Sequence, residues 1–92
     1  MIDAAEIPMV HIGGTPKSLL LHHYNDARAS LRDALAALNH ASPNGRDWVG
    51  RPEADFQSAH RAHAERCDTV RRFLAELDAL AEAVADQETS WI

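Results

Sequence analysis

With 92 residues the chain makes one domain at most, and the core of so short a chain is thin. A formal net charge of −5 excludes a general affinity for nucleic acid or for an anionic membrane surface, since both need a basic face. One cysteine, Cys67, excludes an internal disulfide, and no apolar run approaches the roughly 18–20 residues of a membrane span.

The first segment, residues 1–14, carries Ile7-Pro8-Met9-Val10-His11-Ile12. Proline and β-branched residues disfavour helix, so this reads as an extended arm ending at the Gly13-Gly14 turn. It lacks a basic start and a long apolar run, so a standard signal peptide is not expected and a cytoplasmic location is. Helix 1 is expected over about 16–40. Thr15 suits the N-cap and Pro16 the first helical position, because its missing N–H has no helical partner there anyway. Its apolar seam is Leu20, Tyr24, Ala27, Leu31, Ala34 and Leu38, in alternating steps of four and three, widened by Leu35. The connector, 41–51, is punctuated by Pro43, Asn44-Gly45 and Gly50. Asn44-Gly45 tolerates positive φ, so the reversal is expected there.

Helix 2 is expected over about 52–86, with Glu53 and Asp55 near the positive end of its dipole. Phe56, His60, His63, Cys67, Val70, Leu74, Leu77, Ala81 and Val84 form a regular heptad seam, widened by Phe73 and Leu80. Arg61/Glu65, Asp68/Arg72 and Arg72/Glu76 have the spacing of i,i+4 ion pairs. The fold expected is therefore all-α, an antiparallel two-helix hairpin with an extended N-terminal arm, forming one domain over 1–92. Helix 2 is the longer helix. Its end, Leu77 to Val84, is expected to overhang the start of helix 1 and to be covered by Ile7, Met9, Val10 and Ile12. Leu19, Leu21, Phe73 and Leu80 are left partly exposed, which points to a homodimer closing into a four-helix bundle.

Chemistry-bearing residues are few. His60 and His63, with His40 at the facing end of helix 1, bring three imidazoles near one place. Helical histidines at that spacing share a face by geometry alone, so semi-buried interface residues are the expectation rather than zinc ligands. His22 and His23 are neighbours on helix 1 and are expected in solvent. Cys67 and His63 have the spacing of a thiolate–imidazole dyad, but a two-helix seam offers no cleft for a substrate. There is no Gly-rich phosphate loop, nucleophile elbow or pair of buried carboxylates, so no enzyme, no cofactor and no metal are expected. Two surfaces are candidates for binding a protein partner. One is the loop tip of Arg46, Asp47, Trp48 and Arg51, where Trp48 is either a hot spot or a plug against Leu38 and Phe56. The other is the acidic half of helix 2, with Glu76, Asp78, Glu82 and Asp86 and no Lys or Arg after Leu74.

The Gly13-Gly14-Thr15 turn, the Pro43-Asn44-Gly45-Arg46-Asp47-Trp48 connector and the His/Arg-bearing second helix resemble small phage and prophage helical hairpins with a PNGRDYY-like loop. Trp48-Val49 replaces their tyrosine pair. The resemblance implies phage origin and a virion accessory or host-directed role, such as the inhibition of bacterial defence complexes carried out by compact acidic anti-CRISPR proteins. Trp48-Val49-Gly50 also resembles the WXG100 secreted hairpins. However, no Tyr follows Tyr24 to make their export signal, and the connector is longer than their turn.

Overall fold

In the computed structural model, which describes residues 2–88, the chain is an antiparallel hairpin of two α-helices with no strand among the described residues. Met1 of the expected arm and residues 89–92 of the expected domain lie outside them. Helix α1 is Lys17–His40 and helix α2 is Glu53–Ala85; one-turn 3-10 segments occur at Ala4–Glu6 and Gly45–Trp48. Both long helices start one residue later than expected, because Pro16 and Pro52 are themselves the N-caps. Each is extended (φ near −57°, ψ near 140°), and neither cap is closed by a side chain. Thr15 therefore does not cap α1. The Pro16 carbonyl instead accepts from the amides of Leu19 and Leu20, both at 3.0 Å.

The seam follows the expected residues with two departures. On α1, Tyr24, Ala27, Leu31, Leu35 and Leu38 are half-buried, whereas Ala34 is exposed. On α2, Phe56, Ala59, His63, Val70, Leu74 and Leu77 are half-buried, and Cys67, Ala81 and Val84 are buried, whereas His60 is exposed. The two have different causes. His60 stands on the first turns of α2, which α1 does not reach, so no helix faces it. On α1, Leu35 takes the seam, and Ala34, ~100° from it, falls at the edge.

The register differs from the expected one. Arg28 Nε donates to Asp78 Oδ1 at 2.6 Å, and the Lys17 ammonium donates to the Gln87 carbonyl. These bonds set the start of α1 level with the end of α2, so the C-terminal end of α2 does not overhang. The 24 residues of α1 then reach back only to about Arg66 of the 33-residue α2. The unmatched part is the first four turns of α2, about 20 Å, alongside which the connector runs. The result is a rod of 67 × 22 × 15 Å. Its radius of gyration is 19.3 Å, where a compact chain of this length has about 12 Å.

The arm still folds back on α2, though through a different set of residues. Val10 is 2% exposed, while Ile7 is half-buried and Met9 and Ile12 are largely in water. Gln87 holds the arm: its Oε1 accepts from the Val10 amide at 2.9 Å and its Nε2 donates to the Pro8 carbonyl at 2.8 Å. The arm is not extended throughout. Asp3 and Glu6 form a reciprocal capping box around the 3-10 turn, and Ile2 reaches a shallow depression beside Arg72, Ala75, Glu76 and Ala79 of α2.

None of the three i,i+4 pairs expected on α2 is present. Arg61 bonds Ser58, Arg72 bonds Thr69, and Arg71 pairs with Asp68 at 3.0 Å. Helical side chains lean toward the N-terminus, so each arginine finds the partner three residues before it. Arg61/Glu65 and Arg72/Glu76 have the acid on the C-terminal side, the weaker order for such pairs.

Candidate protein-docking surfaces

The loop tip is built by Asn44. Its Oδ1 accepts from the Arg46 amide at 3.1 Å and its Nδ2 donates to Asp47 Oδ2 at 3.0 Å, which winds Gly45–Trp48 into one tight turn. Asn44 itself is extended, at φ −124°, and Gly45 has no positive φ either. The left-handed residue of the connector is Gly50, at φ 84°. The reversal therefore sits five residues beyond the Asn-Gly pair where the sequence suggested it.

That geometry turns Trp48 inward. Its ring meets Phe56 edge-on with centroids 5.9 Å apart, and Phe56 in turn lies against His60 at 6.2 Å. Trp48 is half-buried against the first turns of α2, the Phe56 half of the expected plug; the 3-10 turn that carries it packs on α2 and not on α1, where Leu38 lies. The apolar side chain it leaves at the tip is Val49, 83% exposed, which sequence reasoning passed over. Of the charged neighbours, Arg51 is tied to Asp55 at 3.2 Å, Asp47 is tied to Asn44, and Arg46 is exposed.

The acidic half of α2 is not one continuous patch. Asp78 is paired with Arg28, and Arg32 stands 4.0 Å from the same carboxylate. The cations missing from the end of α2 come across from α1, which a reading along one helix does not reveal. Glu82 and Asp86 are exposed one and two turns beyond Asp78. Glu76 lies apart from them, beside Ile2 of the arm. Trp48 and the acidic residues sit near opposite ends of α2, about 40 Å apart, so the two candidate surfaces are not brought together.

The imidazoles do not converge. His40 and His60 are exposed and His63 is half-buried, and no cluster of three metal-ligating side chains occurs among the described residues. His22 and His23 are exposed, with rings 5.8 Å apart. His63 Nε2 and Cys67 Sγ are 3.6 Å apart, the contact that their i,i+4 spacing allows. The thiol is 4% exposed, in the position of a small core residue under a weak hydrogen bond. Surface depressions lie elsewhere, beside Ile2 and between the arm and the start of α1.

No protein-family model, curated protein or solved structure matches the chain. Among the described residues, no helix is long and apolar enough to cross a membrane.

Proposed function

We propose that this chain is a non-enzymatic docking protein of phage or prophage origin. It acts in the host cytoplasm as a homodimer, binding a protein complex and blocking a host defence machine in the manner of an anti-CRISPR protein. The observation that carries the docking reading is the distribution of apolar side chains. The buried core among the described residues is Val10, Cys67, Ala81 and Val84, while Met9, Ile12, Leu19, Val49 and Phe73 are each more than two-fifths exposed. A fold that leaves more large apolar side chains in water than it buries gains stability from a protein surface laid against it. Phage origin rests on the resemblance of the Gly13-Gly14-Thr15 turn, the connector and the His/Arg-bearing second helix, and the defence target on the compact acidic character of the chain. The connector of eleven residues with its own 3-10 turn departs from the tight bend of secreted WXG100 hairpins, so the host-directed reading is preferred.

Expression in a bacterium whose CRISPR defence restricts a phage tests this directly. Plaque counts are expected to rise by orders of magnitude, and Val49→Asp at the loop tip is expected to reduce the rise. Unchanged restriction in cells that contain the folded protein sinks the inhibitor reading.

A further inference from the structure

The hairpin has two unlike sides. On one, Arg28, Arg32 and Asp78 bridge the helices. With ~100° between successive residues, this ion-paired side fixes what faces the other way. On α1 that is Ser30, Ala34 and Ala37, all small and exposed; on α2 it is Thr69, Phe73 and Leu80, with Phe73 52% exposed. A helical serine can return its hydroxyl to a carbonyl of the preceding turn, so Ser30 is compatible with an apolar contact. Glu76 lies on the same stripe as Thr69, seven residues on, and Asp33 borders Ser30 and Ala37, so exposed carboxylates rim this side rather than fill its centre. Arg66 also lies on this side, level with the end of α1 and about two turns clear of Phe73.

We infer that a second copy of this chain covers this side, with Phe73 of each copy seated in the trough of Ser30, Ala34 and Ala37 of the other. The inference deepens the self-association in the proposed function and needs no foreign partner. Three observations converge on a second copy as the occupant. The first is area. The chain exposes 6679 Å², whereas a compact monomer of its 10.1 kDa exposes about 5,300 Å². The excess of about 1,400 Å² exceeds the roughly 800 Å² per partner of a standard interface and falls in the range of obligate homodimers. The second is self-complementarity. One side carries both a protruding ring and a trough of small side chains, as an isologous contact requires.

The third is register. The Arg28–Asp78 bond sets Phe73 level with residues 30–34 of α1. A two-fold axis parallel to the hairpin lays α2 of one copy over α1 of the other without changing level. Phe73 then lands between Ser30 and Ala34, and every neighbouring helix pair is antiparallel, as in an up-down four-helix bundle.

Sedimentation equilibrium of the full chain is expected to give a dimer. Phe73→Lys and Ala34→Glu each replace an exposed side chain, so helix content by circular dichroism should persist while each variant alone shifts toward monomer, with dissociation constants raised at least tenfold. Mixing the two variants should restore a dimer, because one of its two contacts is then Lys against Glu and the other is native. A monomeric wild-type chain, or a dimer indifferent to both substitutions, overturns the inference. Failure of the phage assay with a dimer intact removes the inhibitor role and leaves this face standing.

Discussion

At the scale of single residues, one glutamine does the work of a strand partner. Gln87 lies just past the end of α2, and its amide bonds both the Val10 N–H and the Pro8 carbonyl. Val10 is thereby pinned into the small core with Ala81 and Val84. Gln87→Leu keeps most of the volume but leaves two part-buried backbone groups without partners, so a loss of about 1–3 kcal/mol in denaturant unfolding is expected. Amide exchange at Val10 should accelerate in the same variant. An unchanged exchange rate would mean that burial alone holds the arm. The sequence announced an apolar arm but not its clasp, because one polar residue beyond a helix end leaves no periodic trace. The loop tip has the same lesson: Trp48 stood out by type, yet Phe56 draws it in and leaves Val49 outward.

At the scale of elements, both helices and nearly all of the seam were legible, since apolar spacing records which face a helix buries. Ala34 and His60 were misplaced because apolar spacing says neither that Leu35 takes the seam beside Ala34 nor that α1 stops short of His60. The register was not legible. It depends on Arg28 meeting Asp78 and on the path of the connector, neither of which has a local signature. The turn itself allows a paired test. Gly50 is left-handed at φ 84°, whereas Gly45 is not, and a β-carbon would meet nothing within 4 Å at either. Gly50→Ala should therefore cost about 1–2 kcal/mol from backbone strain alone. Gly45→Ala should be neutral or stabilise by up to about 1 kcal/mol, because it restricts the unfolded chain without straining the native turn. Chemical denaturation of both variants decides the matter; the reverse order would return the reversal to the Asn44-Gly45 pair.

At the scale of the whole molecule, stability and assembly are one question. Two helices share a seam in which most residues remain half-exposed, and Cys67, Ala81 and Val84 are the fully buried members of α2. A core so thin is marginal by itself, and a rod 67 Å long gains little from further compaction. If the small-residue trough and Phe73 close a dimer, folding and association are coupled, and the unfolding midpoint must depend on protein concentration. Each tenfold rise in concentration adds about 1.4 kcal/mol to the dimer. Spread over the unfolding entropy of two chains of this length, that moves the midpoint by about 3–4 °C. Thermal melts followed by circular dichroism across a hundredfold range should therefore separate by about 7 °C in the wild-type chain and coincide in Phe73→Lys. Coincident wild-type curves would mean that the isolated hairpin carries its own stability. The exposed side around Phe73 would then be left for a partner of a different kind.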